Sequence, residues 1–404
     1  MVAPKLRFRD FSAPWGQELL ANLVRYTKGF AFKSDDYRSA GVRIIRVSDL
    51  SARAIKHNGE MIFIDEKCVD NYEQYKIKKE EIIITTVGSK PELVDSAVGR
   101  GIFVTDRSPG LLNQNMLKLN SITDVSNKFL FCQINTERYI THIKNIQRGN
   151  ANQSNITVKE LLSFPVFITS FGEQTKITNF LSSVDERITL LNKQYDLLCQ
   201  YKKGMMQKIF SQELRFKDKN REDFPEWEYG KISDLFSNKS KKHNPLNEIS
   251  YPCIELDCIS QGDGQLLNTV DSSQQQSIKN KFKKGDVLFG KLRPYLRKYI
   301  LATFDGVCSS EIWVLKGILM KNSYLYQFIQ TDFFINLANK STGSKMPRAD
   351  WDTISSTFVF YPYLEEQTKI ANFLSAIDDK IAAKKSELDK LKIWKQGLLQ
   401  QMFV

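Results

Sequence analysis

Two stretches decide the architecture: Glu173–Phe210, EQTKITNFLSSVDERITLLNKQYDLLCQYKKGMMQKIF, and Glu366–Phe403, EQTKIANFLSAIDDKIAAKKSELDKLKIWKQGLLQQMF. They align without a gap at a constant offset, and 17 of the 38 positions are identical. The second is therefore an internal repeat of the first. A weaker echo lies upstream, where Leu6-Arg7-Phe8-Arg9 with Trp15 corresponds to Leu214-Arg215-Phe216-Lys217 with Trp227. The chain reads as two half-repeats, each a variable segment followed by a shared one.

Each repeated stretch has the spacing of a long helix. In the first, Ile177, Leu181, Val184, Ile188, Leu191, Tyr195, Leu198, Met205 and Ile209 follow a 4-3-4-3 pattern, the mark of a coiled-coil seam. Ile370, Leu374, Ile377, Ile381, Leu388, Leu391, Leu398 and Met402 keep the same register in the second. Ser170-x-x-Glu173 predicts a capping box at the first start, and Pro362 bounds the second. Each helix is expected to be about 57 Å long. A stripe of that length is not stable alone in water, and the other copy is the obvious partner. Lys202 and Lys395 interrupt the two seams at the same place, with Lys384 a further break. Either they fix register at some cost in stability, or, more simply, they snorkel from the seam edge. The short charged connection Ser211–Asp223 does not distinguish parallel from antiparallel pairing. Symmetry favours antiparallel.

With 404 residues, more than one domain is expected. A hydrophobic fraction of 42% beside 26% charged residues is a globular balance. The excess of 58 Lys+Arg over 46 Asp+Glu, net +12, points to a polyanionic partner. No apolar run reaches membrane-span length, and Met1–Asp10 is charged where a signal peptide is apolar. The expected location is cytoplasmic, with no membrane partner. Cys68, Cys132, Cys199, Cys253, Cys258 and Cys308 form no C-x2-C pair, so they are expected reduced and mostly buried. His57, His142 and His243 have no zinc-site spacing. No P-loop, G-x-G-x-x-G, N-P-P-[FY] or G-x-S-x-G motif is present. Asp65-Glu66-Lys67 only loosely suggests a nuclease pair. No catalytic residue and no metal ligand is assigned.

The variable halves carry short β-rich runs, among them Val42–Val47, Glu81–Val87 and Asp286–Phe289, and shorter helical stretches such as Tyr324–Asn339. Two α+β domains are expected. Lys78-Lys79-Glu80-Glu81 echoes Lys283-Lys284-Gly285-Asp286, and Leu112-Asn113-Gln114-Asn115 echoes Val307-Cys308-Ser309-Ser310.

The densest chemical signal is Lys279–Ile300, where eight basic residues interleave with Phe282, Phe289, Tyr295 and Tyr299 against the single acid Asp286. Lysines attract phosphates without direction. An arginine donates two parallel hydrogen bonds to guanine O6 and N7. Gly290-Lys291-Leu292-Arg293-Pro294-Tyr295 sits at a strand end, a suitable place to hold an arginine in a groove, and Arg297 and Lys298 follow. The alternative is a solvated basic face. In the first half, Arg43 and Arg46 flank a β run, and Thr86, Ser89 and Lys90 end another. Gln114 and Asn115 suit adenine N6 and N7, or are ordinary turn residues. Polar loops precede both helices, with Arg148, Asn150 and Asn152 in one and Lys345 and Arg348 in the other. They read as phosphate contacts or as flexible connectors.

These residues together resemble the specificity subunit of type I restriction–modification systems. The resemblance rests on Glu173-Gln174-Thr175-Lys176-Ile177 and Glu366-Gln367-Thr368-Lys369-Ile370, on the closing runs Lys202–Gln207 and Lys395–Gln400, on Phe282–Pro294, and on Cys308-Ser309-Ser310. It implies two α/β-mixed target recognition domains, residues 1–165 and 216–358. Two long helices, 166–215 and 359–404, would separate them as an antiparallel coiled-coil spacer with an internal pseudo-two-fold repeat. It implies a non-catalytic subunit that reads a bipartite site in double-stranded DNA and directs adenine methylation or cleavage by its partners. Those partners are two methyltransferase subunits and, in the larger complex, motor–nuclease subunits. S-adenosylmethionine, ATP and Mg belong to them, and no cofactor belongs to this chain. Ser309 and Ser310 join the candidate DNA contacts on this ground. The alternatives are a DNA-modifying enzyme with an unrecognised site and a basic coiled-coil nucleic-acid scaffold.

Overall fold

The structure, a computed structural model, describes residues 3–51, 54–90, 97–107, 109–150, 153–340 and 346–403. The chain divides into two compact units, Met1–Leu191 with Glu387–Val404, and Asn192–Ser386. The two long helices, Phe171–Phe210 and Leu364–Met402, each contribute to both units.

Both units are mixed α/β and share a sheet plan. In the first, antiparallel strands lie in the order Val24–Lys28, Met116–Ser121, Ile82–Thr85, Gly101–Phe103. In the second the order is Phe236–Ser237, Ile312–Gly317, Val287–Gly290, Tyr299–Leu301. Ile82–Thr85 and Val287–Gly290 are buried throughout, which is why they read as continuous apolar runs and not as alternating ones. Each unit adds a parallel pair, Val42–Ile45 with Leu111–Leu112 and Pro252–Ile254 with Gly306–Cys308.

Several elements are shorter than their sequence pattern. The Val42 run stops at Ile45 because the Arg46 N–H turns to the Asp49 carboxylate, 2.8 Å away. The Glu81 run breaks after Thr85, and Val87–Gly88 joins a different sheet. Tyr324–Asn339 is two helices, Asn322–Phe328 and Asp332–Ala338, because Thr331 caps the second. The matched turns before the central strands are the same turn: Glu81 and Asp286 accept from the Lys78 and Lys283 N–H, both at 2.8 Å. Glu80 takes φ +70° where the other turn has Gly285 at +87°. The second echo is shifted by one residue. Asn113 and Ser309 both donate to the neighbouring parallel strand, at Ile45 and Ile254, so Leu112–Asn115 matches Cys308–Glu311.

The repeated Glu-Gln pair is a joint. Glu173 and Glu366 are fully buried, and a buried carboxylate requires hydrogen-bonded countercharge. Arg7 grips Glu173 with Nε at 2.7 Å and Nη2 at 2.8 Å, and Trp15 Nε1 donates from 3.2 Å. Arg215 and Trp227 hold Glu366 in the same way, Nη2 at 2.8 Å and Nε1 at 3.1 Å. The glutamines fasten the next layer. Gln174 accepts from the Ser126 N–H at 2.9 Å, and Gln367 from the Lys321 N–H at 2.8 Å. The expected capping box is therefore half made. Ser170 Oγ accepts from the Glu173 N–H at 3.4 Å, but the Glu173 carboxylate is engaged by Arg7 and Trp15.

The apolar stripes of the helices are buried at Ile177, Leu181, Val184, Ile188 and Leu191, and at Ile370, Leu374, Ile377, Leu388, Leu398 and Met402. Tyr195, Leu198, Met205, Ile381 and Leu391 are half-buried. Two of the interrupting lysines, Lys202 and Lys395, are paired and do not simply snorkel to water. Lys395 Nζ lies 2.5 and 2.7 Å from the Asp185 carboxylate, and Lys202 Nζ lies 2.6 Å from Asp378. Arg187 pairs with Glu387 at 2.9 Å. The two aspartates are themselves a matched pair in the repeat, as the two lysines are.

The Tyr324 hydroxyl is buried and, among the described residues, has no hydrogen-bond partner. Phe129 occupies the matching place in the first unit, three residues after the backbone N–H that bonds the joint glutamine. Replacing Tyr324 with Phe is expected to raise the stability of the protein by about 1 kcal/mol, the lower end of the cost of an unsatisfied buried polar group; the denaturant midpoint measures it. Glu173 generates a second expectation. Burial pushes its carboxyl up, but hydrogen bonds from Arg7, Thr169 and Trp15 outweigh this and hold it below the ordinary glutamate value. Its contribution is present above the unfolded-state pKa of about 4.3 and is lost as pH falls through the depressed folded value. Glu173→Gln should lower stability at neutral pH and flatten the acid limb of the stability–pH curve.

Candidate nucleic-acid interface

Two hydrogen-bonded frames, one per unit, collect most of the candidate residues. In the first unit the chain leaves the central strand at Thr86, whose N–H donates to Asn115 O at 2.8 Å and whose carbonyl accepts from Ile156 at 3.0 Å. Val87–Gly88 then pairs with Gln153–Asn155, which pairs with Arg148–Asn150. In the second unit Lys291 makes the same two bonds, to Glu311 O at 2.9 Å and from Ala349 at 2.8 Å. Leu292 pairs with Arg348, and the Arg293 N–H donates to Pro347 O at 2.8 Å.

The polar loop before the first helix is thus a hairpin, not a loose connector. Gly149 is required there: at φ +126° a Cβ would lie 2.3 Å from Gln153 O. Asn152 and Lys345 lie outside the described residues. Arg148 sits on the hairpin edge and is paired with Glu160, and Asn150 ends the outer strand.

Arg43 and Arg46 belong to the neighbouring strand and turn, and both turn inward. Arg43 donates to Lys56 O at 2.7 Å and lies 3.7 Å from Asp49, while Arg46 donates to Asp49 and to Glu60 O. Their charge closes a loop. Gln114 and Asn115 form an exposed turn, with Asn115 at φ +67°. The Ser89 backbone bridges Ala97, and Lys90 is exposed beside it.

In the basic segment the structure separates spent from unspent charge. Lys279 is buried on Glu255 at 2.5 Å, Lys283 pairs with Asp305 at 2.7 Å, and Lys298 Nζ donates to Leu256 O at 2.5 Å. Lys281 engages Glu248, whose carboxyl is held down to about 2 by that bond and by the Asn244 N–H. Arg297 pairs with Asp332 and lowers its pKa. Arg348 lies 3.1 Å from Glu311. Ser309 sits in the strand-linking turn, its Oγ accepting from the Glu311 N–H at 3.4 Å, and Ser310 is exposed beside it. Arg293 is different. It is exposed in the left-handed region, φ +52°, ahead of Pro294 and exposed Tyr295. Among the described residues neither its guanidinium nor the Lys291 ammonium has a protein acceptor. Sequence spacing did not reveal this division, because the acids that meet Lys279, Lys281, Lys283, Arg297 and Arg348 lie 22 to 37 residues away on separate elements.

Asp65-Glu66-Lys67 opens a 3-10 helix, Glu66–Tyr75, which Asp65 caps by accepting from the Lys67 N–H at 2.9 Å. Cys253, Cys258 and Cys308 are buried, Cys132 and Cys199 half-buried and Cys68 exposed; all are free thiols. Among the described residues no helix is long and apolar enough to cross a membrane, and no group of three or more His, Cys, Asp or Glu could hold a metal ion.

The sequence matches the type I restriction modification DNA specificity domain over residues 15–199 and 225–392. A specificity subunit of the type I restriction enzyme MjaVIII of Methanocaldococcus jannaschii is 24% identical over 396 residues, covering 88% of this chain and 90% of the relative. The EcoDI specificity subunit of Escherichia coli is 26% identical over 160 residues, 39% of this chain and 36% of the relative. The fold is similar to the crystal structure of a type I restriction–modification S subunit from M. genitalium, with TM-score 0.59 at 16% identity over 100% of this chain and 99% of that one. The chain belongs to the type I specificity family and is a non-catalytic specificity subunit.

The separation of charges predicts a contrast. Arg293→Ala should weaken binding to target duplex by about 1–3 kcal/mol with the melting temperature unchanged. Arg297→Ala should lower the melting temperature, because it leaves Asp332 without its cation. Duplex titration and thermal unfolding of both variants distinguish the roles.

Proposed function

We propose that this specificity subunit reads a bipartite site in double-stranded DNA, one part with each mixed domain, and that its paired helices set the number of unread base pairs between them. The domains would be residues 1–165 and 216–358, and the spacer 166–215 and 359–404. The observation that carries the reading is the reciprocal pair Lys202–Asp378 and Lys395–Asp185. Four matched positions of a sequence repeat join crosswise, as an antiparallel coiled coil with a pseudo-two-fold axis requires, and half-buried charge pairs at a seam are a means of fixing register. A fixed register fixes a length, and a reader with two heads and one fixed length leaves the bases in between unread.

Exposed Arg293, Tyr295, Ser310 and Arg348 with half-buried Lys291, and in the other domain exposed Lys90, Gln114, Asn115 and Arg148 with Asn150 at its strand end, supply the contacts. Arg43, Arg46, Arg297, Lys298 and Ser309 support those loops from behind, and Thr86 and Ser89 hold them through the backbone. Two methyltransferase subunits would bring S-adenosylmethionine and methylate adenine. Motor–nuclease subunits would bring ATP and Mg. The complex would work in the cytoplasm.

Mapping methylated adenines in cells with and without this chain tests the reading. Expected is a motif of two short half-sites around a constant gap that disappears with the chain. Inserting one heptad after Leu191 and one after Ser386 keeps the seam in phase and lengthens the pair by about 10 Å, about three base pairs at 3.4 Å each. The gap should widen while both half-sites stay the same. An unchanged gap with altered half-sites would remove the spacer role.

A further inference from the structure

The two frames are the same backbone carrying different chemistry. The shared bonds from Thr86 and Lys291 align Gln114 with Ser310, Asn115 with Glu311, Gln153 with Met346 and Asn155 with Arg348. Along the middle strand of the first frame Gln153 and Asn155 are exposed, whereas Ser154 and Ile156 between and beyond them are buried. Strand alternation therefore puts both carboxamides on one face. Asn155 is paired with Val87, one residue from Thr86, whose N–H is held by the Asn115 carbonyl. The Gln114–Asn115 turn and the Gln153–Asn155 strand thus flank the same two-residue stretch. Among the described residues no protein group bonds the side-chain amide of Gln114, Asn115, Gln153 or Asn155.

Four unoccupied carboxamides on one rigid frame are a chemical choice. Each offers a donor group and an acceptor side by side and no charge, so a phosphate, which only accepts, uses half of what they offer. The adenine edge, with an N6 donor and an N7 acceptor, is their complement. The second frame offers no carboxamide at the matched places. It has Arg293 where the first has Gly88, and Arg348 where the first has Asn155.

We infer that Gln153 and Asn155, with Gln114 and Asn115, are specificity-determining residues that make the first domain a reader of adenine edges. This rests on the two-headed reading above and adds which half-site carries adjacent A·T pairs. The backbone ladder presents these side chains at fixed spacing, so each carboxamide meets its own base pair. The strand pairs with Val87–Gly88 on one side and with Arg148–Asn150 on the other, where Gly149 allows the close approach, so it does not shift to follow a substituted side chain.

The test uses the chain assembled with its methyltransferase subunits and a random-sequence duplex library, sequencing what is retained. The expected motif has two half-sites, one of them with adjacent A·T pairs. Asn155→Leu and Gln153→Met keep the approximate size, remove donor and acceptor and add no charge. Each should lose about tenfold in affinity for the selected duplex and relax preference at one position of that half-site alone. Replacing adenine there by 7-deazaadenine should reproduce the loss in the unsubstituted protein and add little in the variant. A two-part motif in which both variants weaken all sequences equally, or relax the other half-site, would overturn the assignment and leave the two-headed reading standing. A single uninterrupted motif would overturn that reading instead.

Discussion

The structure depends on two buried carboxylates. Glu173 and Glu366 begin their helices inside protein, where an ionised carboxylate is tolerated only with its countercharge in place. Each is met by an arginine and a tryptophan from a lead-in segment more than 130 residues away in sequence. Because the arginine contact is a fork on both oxygens, it fixes orientation as well as distance. The adjacent glutamine then bonds a backbone N–H at the start of the next helical layer. Lead-in, helix start and domain body are thereby held in one geometry in each unit.

This joint explains why the Glu-Gln pair is the same in the two copies while the domains between them vary. A side chain at the joint must satisfy several buried groups at once, and few residue types do. The frames that display the candidate contacts are held by backbone bonds, which any side chain permits. Gly88 and Arg293, or Asn155 and Arg348, exchange on the same ladder without changing it. A specificity subunit benefits from that division, because the surface chemistry can change without disturbing the scaffold.

The basic segment Lys279–Ile300 shows the limits of reading charge from a string. Its eight cations look equivalent in sequence, yet Lys279 is in the core, Lys281, Lys283 and Arg297 are neutralised, and Lys298 closes a turn. What distinguishes Arg293 from Arg297, which shares its left-handed backbone, is a guanidinium without a protein acceptor among the described residues, and only folding shows it. Gln153 and Asn155 lacked any signal of their own, since a three-residue strand between turn residues has too few positions to establish a period.

The gap-free repeat, the 4-3-4-3 stripe and the matched lead-ins were legible in the chain, because helical periodicity is local and the repeat supplies its own comparison. So was the β character of the central strands, whose apolar runs report burial on both faces. Tertiary structure decided what those patterns do not encode. It showed that the seam lysines meet aspartates, that Glu173 serves a joint more than a cap, and that Arg43 and Arg46 face inward. Each of these outcomes rests on a partner brought close only by folding, and the energy of a charge or carboxamide is set by that partner and not by its neighbours in sequence.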